Sequence, residues 1–173
     1  RMSVSMTTRA PRKGEVDKIH YHFVDKPAFE ALIEEDGFME YANVYGNFYG
    51  TPKKDVIQWL EDGIDVILEI DVQGALQVKK SYPEGVFIFI LPPSIEELKN
   101  RIKARGSETE ETMARRLGTA LQEISLIDQY DYRVINEDLD VAINRVRAII
   151  TAEQCKLNDS EVDRIVRRYK EEL

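Results

Sequence analysis

Two arginines near the start of the sequence have the spacing and chemistry of an anion-binding site. Arg9 and Arg12 stand three residues apart, and Pro11 between them fixes its own φ and pushes the preceding residue toward extended backbone. Each guanidinium presents forked donors that match phosphate oxygens. Hydroxyl residues precede the pair in the run SMTTRAPRKGE, and Gly14 follows it. The segment fits a small phosphorylated ligand, although a solvated basic loop is the usual alternative.

Acidic and hydroxyl side chains further along the chain could recognise a purine base. A guanine ring presents N1–H and an exocyclic amine as donors, and O6 and N7 as acceptors. One carboxylate can accept from both donors, and Glu40 and Asp71 are the candidates. Adenine lacks this pair of donors, so such a site would select guanine. Candidate hydroxyl partners for the acceptor edge and for the phosphate are Ser5, Thr51, Tyr21 and Tyr49. Composition alone does not bring these residues together into one site.

From about residue 64 onward, short apolar runs alternate with segments of helical periodicity. The strand candidates are residues 65–70 and 86–91, a weaker run at 132–136, and a fourth at 3–6. Capping boxes predict helices that begin at Ser94 and Ser107, and apolar spacing predicts two more, over 139–150 and from Ser160 onward. This alternation predicts an α/β fold in which helices cover a parallel sheet.

The segment between Arg9 and Gly63 differs because it is rich in aromatic and turn residues. Two short helices are expected in it. One lies over residues 27–34, and the other is capped by Thr51, with Pro52 at its first position and Gly63 beyond its end. We interpret this segment as a subdomain inserted between elements of the sheet.

Composition narrows the classes of function. A chain of 173 residues with 43% apolar residues is long enough for one well-packed domain. Its net charge of −8 argues against nucleic-acid binding, which relies on clustered positive charge. No apolar run approaches the roughly 20 residues that span a bilayer. With Cys155 as its one cysteine, the chain can form no intramolecular disulfide and suits a reducing compartment.

Several motifs, in order, resemble the guanylate kinase family. They are SMTTRAPR with Gly14 and Glu15, the tyrosine of IHYHF, FMEYANVYGNFYGT, VILEIDVQGA, and RIKARGSETEETMARRL, which resembles the family's lid. The resemblance runs from Ser3 to about Glu153. It implies a single domain, residues 1–173, with a P-loop NTPase-like parallel sheet flanked by helices. Within it, residues 9–63 would form the GMP-binding insert, 64–100 and 120–173 the core, and 101–119 a helical lid.

The resemblance also implies roles for individual residues. The GMP phosphate contacts would be Arg9, Arg12, Tyr21 and Tyr49. The guanine contacts would be Ser5, Glu40, Thr51 and Asp71, with Glu15 supporting the site. Arg105 and Arg116 would reach the ATP phosphates from the lid, and Asn136 would lie near the adenine. Arg9, Arg105, Arg116 and Asp71 would serve catalysis, and Asp71 ends a predicted strand, the usual place for a carboxylate near magnesium.

The implied reaction is transfer of the ATP γ-phosphate to GMP, giving GDP and ADP, with Mg2+ as cofactor. Such a transfer needs in-line positioning and neutralised phosphate oxygens rather than a protein nucleophile. The resemblance implies a cytoplasmic enzyme whose partners are its substrates, with no metal ligand assigned directly. The sequence leaves the oligomeric state open. The alternative is an inactive guanylate-kinase-like module that binds GMP or a phosphorylated or acidic peptide.

One family motif is absent from the sequence. No G-x-x-x-x-G-K-[ST] phosphate loop occurs in it, and in the family that loop lies upstream, after the first strand. We expect an active kinase whose phosphate loop precedes Arg1, because the lid arginines and Glu40 serve turnover. A true truncation that binds without catalysis is the alternative.

Overall fold

The structure is a computed structural model that describes residues 1–104, 110–157 and 159–172. The chain divides into two compact units, Arg1–Gly85 and Val86–Leu173. Arg105, which we expected in the lid, and Ser107, the expected start of a capping box, lie outside the described residues. None of the described helices combines the length and the apolar character that a bilayer-spanning helix needs.

The first unit is built on a four-stranded sheet in the order β2–β1–β4–β3. Its strands are β1 (Met6–Thr7), β2 (His22–Phe23), β3 (Phe38–Val44) and β4 (Asn47–Pro52). β1 runs parallel to β2 and antiparallel to β4. β3 and β4 form an antiparallel hairpin through Tyr45 and Gly46, which have φ of 51° and 86°, as a two-residue hairpin turn requires.

Three helices complete the first unit: α1 (Lys26–Glu34), α2 (Lys53–Glu61) and α3 (Val72–Ser81). α1 begins where the Asp25 carboxylate accepts a hydrogen bond from the Ala28 N–H. Phe29 of α1 is fully buried. Its ring stacks on Phe38 and Phe48 with centroid distances of 4.4 and 5.3 Å, so α1 packs against one face of the hairpin.

Two predictions for this unit were wrong. Thr51 does not cap α2; it belongs to β4, and its hydroxyl donates to Glu40, so the helix starts after Pro52 without a side-chain cap. Residues 65–70 do not form a regular strand. The described chain pairs this segment only at one parallel bridge between Met2 and Ile67, and a ladder needs several consecutive pairs.

The second unit contains two parallel strands, β5 (Ile88–Leu91) and β6 (Tyr132–Ile135), paired over their full length. Both were predicted, with slightly wider bounds.

In the first unit, the predicted strand at residues 3–6 is only partly confirmed, because regular pairing begins at Met6.

The helices of the second unit are α4 (Ile95–Ala104), α5 (Glu110–Ile124), α6 (Leu139–Gln154) and α7 (Asp159–Glu171), with a 3-10 turn at Ile127–Gln129. The Ser94 hydroxyl accepts from the Glu97 N–H at 3.1 Å, which confirms the predicted start of α4. α6 begins where the Asp138 carboxylate accepts from the Val141 N–H. α7 begins one residue before the predicted Ser160.

Candidate functional site

The turn after β1 holds Arg9 in a fixed position. Its guanidinium forms a two-pronged ion pair with Glu15, at 3.0 Å from Nη1 and 2.9 Å from Nη2. The Arg9 Nε–H donates to the Tyr49 hydroxyl at 3.1 Å. The side chains of Arg9 and Glu15 are only 14% and 17% exposed. Arg9 is therefore oriented before any ligand arrives.

Glu15 is the residue that organises this turn. Besides the ion pair with Arg9, its carboxylate accepts from the backbone N–H of Arg12 at 2.6 Å. The hydrogen bonds from Arg9, followed by that from the Arg12 backbone, lower the pKa of Glu15 to about 2. The Arg12 side chain is exposed. The pair predicted as a phosphate site thus consists of one anchored guanidinium and one at the surface.

Two tyrosines stand beside Arg9. Tyr21 and Tyr49 meet edge to face with ring centroids 6.0 Å apart, and the Arg9 Cζ lies 5.5 Å from the Tyr21 ring centroid, a cation–π distance. Burial raises the pKa of Tyr21 above its ordinary value, with the nearby Tyr49 adding to the effect. Tyr21 therefore stays protonated and able to donate.

Two threonines that the sequence reasoning missed clamp this turn onto β4. The Thr7 hydroxyl donates to the Phe48 carbonyl at 2.8 Å and accepts from the Arg9 N–H at 3.2 Å. The Phe48 N–H donates to the Thr8 hydroxyl at 2.9 Å. Thr7 is fully buried. The sequence shows two consecutive threonines directly before Arg9, but it does not show what their hydroxyls bind.

A second cluster centres on the buried carboxylate of Glu40. The Thr51 hydroxyl donates to Glu40 Oε1 at 2.7 Å, and both residues are buried. They are opposite partners in the β3–β4 ladder, next to a register irregularity at Phe38. Burial raises the pKa of Glu40, while the Thr51 hydrogen bond opposes this and the charge of Asp71 adds to it. Such a carboxylate lacks water and favours hydrogen-bond donors.

Asp71 and Gly74 complete this second cluster. Asp71 is the N-cap of α3, and its Oδ1 accepts from the Gly74 N–H at 2.8 Å. Asp71 Oδ2 takes no part in this cap. A methyl group on Gly74 would lie 2.4 Å from Glu40 Oε2 and 3.3 Å from Asp71 Oδ1. Gly74, which the sequence reasoning did not single out, leaves room for the two carboxylates.

The two clusters lie along one strand. Tyr49 and Thr51 are two residues apart on β4, so their side chains point to the same face of the sheet. At a strand rise of about 3.3 Å per residue, they are separated by about 6.6 Å along the strand. Ser5 stands one residue before β1, and among the described contacts none joins its hydroxyl to either cluster.

In the second unit, Arg116 and Asn136 line one cleft of about 200 Å³ together with Arg101. Its apolar lining includes Ile90, Leu98 and Ile102. Arg101 pairs with Glu97 at 2.8 Å and also donates to the Asn136 carbonyl at 2.9 Å. The structure thus brings together two of the three predicted ATP contacts, and the third, Arg105, lies outside the described residues.

Within the part of the chain that the structure describes, no three His, Cys, Asp or Glu side chains are grouped so that they could hold a metal ion. Magnesium is commonly bound by one or two carboxylates together with substrate phosphates. Asp71, the carboxylate expected near magnesium, caps α3 and lies beside Glu40.

Comparison with known proteins gives the family. The family model described as "Guanylate kinase" matches residues 1–153. This chain belongs to the guanylate kinase family. The predicted family and the class of enzyme, a nucleotide kinase, are thereby confirmed.

Individual guanylate kinases are similar over most of the chain. The guanylate kinase of Caldanaerobacter subterraneus subsp. tengcongensis is 54% identical over 158 residues, which cover 91% of this chain and 77% of that protein. The guanylate kinase of Clostridioides difficile is 50% identical over 173 residues, covering 100% and 84%. These relatives lend no support to the inactive binding module.

A solved structure supports the fold. The crystal structure of guanylate kinase from Anaplasma phagocytophilum matches with a TM-score of 0.79 and 41% sequence identity, over 90% of this chain and 77% of that one. The prediction of an α/β fold of the P-loop NTPase-like kind is confirmed by this guanylate kinase neighbour.

Proposed function

We propose that this guanylate kinase family member transfers the γ-phosphoryl group of ATP to GMP, giving GDP and ADP. The observation that carries the proposal is the placement of two complementary clusters on one face of β4. A cationic and phenolic cluster surrounds Tyr49, and a buried acidic cluster surrounds Thr51. One mononucleotide can reach both clusters, with its phosphate at the first and its base at the second.

At the phosphate end, the hydrogen bonds of Arg9 decide which donors remain for a ligand. The guanidinium already makes four hydrogen bonds, to Tyr49, Ala10 and twice to Glu15, out of its five N–H donors. Arg9 thus offers the phosphate one N–H and its positive charge. Because the Tyr49 oxygen accepts from Arg9, its own proton is directed away, toward a phosphate. The exposed Arg12 supplies the forked contact.

At the base end, Glu40 supplies the selectivity. Its carboxylate is buried and bonded on one oxygen by Thr51. A guanine would donate to it from N1–H and from the exocyclic amine. These two donors would supply the hydrogen bonds that water gives to an exposed carboxylate. AMP lacks both of these donors, so Glu40 would keep only the Thr51 hydrogen bond in a desolvated site. One such bidentate contact discriminates between bases by about 1–3 kcal/mol.

The transfer itself rests on positioning and charge. No protein nucleophile is required, because the GMP phosphate attacks the γ-phosphorus in line with the departing ADP. Mg2+, when bound, would neutralise phosphate oxygens. Arg105 and Arg116 would stabilise charge on the ATP side, with Asn136 near the adenine. Residues 9–63 would close on GMP and 101–119 would close as a lid, in a cytoplasmic enzyme.

The test is ADP formation, measured by a coupled assay with protein expressed from the complete gene. We expect turnover with ATP and GMP that exceeds turnover with AMP, UMP or CMP by about tenfold or more, the factor that one bidentate base contact implies. Removing Mg2+ with a chelator is expected to abolish it. Absence of GMP-dependent ADP formation in that protein would reject the proposal.

A further inference from the structure

Gln77 on α3 makes two hydrogen bonds with the backbone of the residue that follows Glu40. Its Nε2 donates to the Tyr41 carbonyl at 2.7 Å, and its Oε1 accepts from the Tyr41 N–H at 3.2 Å. The two residues are 36 positions apart in the chain. The contact therefore ties a helix to a strand, and neither cluster of the candidate site described above includes it.

The contact lies on the edge of the sheet. β3 is the last strand in the order β2–β1–β4–β3, and an edge strand presents backbone groups without a neighbouring strand to bind them. A glutamine side chain carries the same donor and acceptor as a peptide group. The Gln77 amide thus binds Tyr41 as a further strand would, and it fixes how closely α3 approaches β3 at this point.

The same face of α3 also contacts Glu40. Gly74 lies three residues before Gln77 on α3, a spacing that places both on one face of the helix. A methyl group on Gly74 would lie 2.4 Å from Glu40 Oε2. Consecutive residues of β3, Glu40 and Tyr41, thus meet consecutive turns of α3, so the Gln77 contact and the carboxylate site share one helix–strand interface.

This interface holds two like charges. Asp71 is the N-cap of α3, and Glu40 belongs to β3. Burial, and in addition the charge of Asp71, raises the pKa of Glu40. Repulsion between the two carboxylates favours a wider separation of α3 from β3. The Gln77 amide opposes that separation and, being neutral, adds no charge beside the carboxylates.

We propose that Gln77 is a positioning residue for Glu40. Its amide holds α3 against the edge of β3 and so keeps the Glu40 and Asp71 carboxylates at the spacing that guanine recognition needs. The inference rests on the proposed function, because it concerns the same base site. Gln77 is exposed, and its amide is already used by Tyr41, so it acts through Glu40 and not on the nucleotide.

Steady-state kinetics on protein expressed from the complete gene tests the role. Gln77→Met removes the donor and the acceptor but keeps an unbranched side chain of similar helix propensity. The KM for GMP should rise about threefold to tenfold, while kcat and the KM for ATP change about twofold or less. Gln122→Met, the same change at an exposed position of α5, should alter none of them. A wild-type KM for GMP in Gln77→Met overturns the inference.

A double-mutant cycle separates positioning from general destabilisation. Glu40→Gln removes the carboxylate that Gln77 is proposed to hold. Adding Gln77→Met to Glu40→Gln should therefore weaken GMP binding, measured by calorimetry, about twofold or less beyond the single variant. Two losses that multiply in full overturn the inference, because Gln77 would then act independently of Glu40. Self-association of Gln77→Met with unchanged GMP affinity also overturns it, since Gln77 would then only protect the sheet edge.

Amide hydrogen exchange, followed by NMR, tests the contact itself. The Tyr41 amide should exchange faster in Gln77→Met than in the wild type and at an unchanged rate in Gln122→Met. An equal rate in Gln77→Met and the wild type overturns the inference. Failure of the proposed function gives a different result, because the wild-type protein itself would then bind GMP no better than AMP, and the inference would be rejected with it.

Discussion

At the scale of the residue, the candidate site depends on side chains that hold other side chains. Glu15 orients Arg9, Thr51 orients Glu40, and Gly74 leaves the space that Glu40 occupies. A lone acidic residue after a glycine usually lies in solvent, yet here it makes the ion pair that fixes the turn. The site therefore responds to changes at residues that need not touch the nucleotide.

The first prediction concerns Glu15→Gln. A neutral amide cannot maintain the ion pair with Arg9, so the Arg9 guanidinium is no longer held in place for the GMP phosphate. The KM for GMP should therefore rise about tenfold, while kcat changes less. Steady-state kinetics measures both constants. Glu34→Gln, an exposed residue of α1, is the matched control and should leave both constants unchanged. An unchanged KM in Glu15→Gln would show that the ion pair does not position Arg9.

The same residue gives a pH dependence. The folded pKa of Glu15, about 2, is below its unfolded value of 4.5. Its contribution to stability is therefore fully present above pH 4.5 and is lost as pH falls toward 2. Denaturation of wild-type and Glu15→Gln proteins should show a stability difference at pH 7 that shrinks steadily below pH 4.5. A difference that grows on acidification would contradict this assignment.

Gly74 gives the second prediction. In Gly74→Ala, the new methyl group would meet Glu40 Oε2 at 2.4 Å, so the carboxylate must move from the base site. The affinity for GMP should fall about tenfold, with ATP binding retained. Gly118→Ala in α5 is the matched control, because nothing lies within 4 Å of its new methyl group. It should keep activity and gain roughly 0.4–1 kcal/mol of stability. Calorimetric titration of both variants with GMP and with ATP measures the affinities.

At the scale of the element, local signals were predicted better than non-local pairing. The start of α4 was correct because Ser94 and Glu97 interact within one helical turn. The strand over 65–70 was wrong because pairing depends on a partner far along the chain, and the described chain supplies one bridge there. Thr51 was misread as a helix cap, since its use as the partner of Glu40 appears only when β3 and β4 pair.

The sequence predicted which residues belong to the candidate site, but it did not predict how their side chains contact each other. Residue types and the family resemblance pointed to Arg9, Glu40 and Thr51, and the structure places them in two clusters on one sheet. The clamp from Thr7 and Thr8 could not be predicted from local pattern. It depends on the antiparallel approach of β1 and β4, which brings residue 48 beside residue 8.

That clamp gives the third prediction. Thr7→Val keeps the shape of a fully buried side chain but removes the hydrogen bonds to Phe48 and Arg9. We expect a loss of about 1–3 kcal/mol in unfolding free energy and a raised KM for GMP. Thr7→Ser should largely restore the KM because it restores the hydroxyl. Thr151→Val, at an exposed position of α6, controls for the loss of a threonine hydroxyl. If Thr7→Ser and Thr7→Val bind GMP equally, the hydroxyl does not position the turn.

At the scale of the whole molecule, an acidic chain groups a few arginines at the places where we propose that phosphates bind. The net charge is −8, yet the first unit directs Arg9 and Arg12 to one turn, and the second unit contains Arg101 and Arg116 in one cleft. The residues proposed to bind GMP belong to the first unit, and the described residues proposed to bind ATP belong to the second. This division explains why changes at Glu40 should affect one nucleotide and not the other.

The most direct measurement is calorimetric titration of GMP, AMP and ATP into the wild-type protein and Glu40→Gln, with Glu34→Gln as the control. The amide keeps the size of the side chain but cannot accept both guanine donors. We predict that Glu40→Gln weakens GMP binding about tenfold or more and leaves AMP and ATP binding nearly unchanged. An equal loss for GMP and ATP, or GMP binding as tight as in the wild type, would contradict the central claim that Glu40 reads the guanine base.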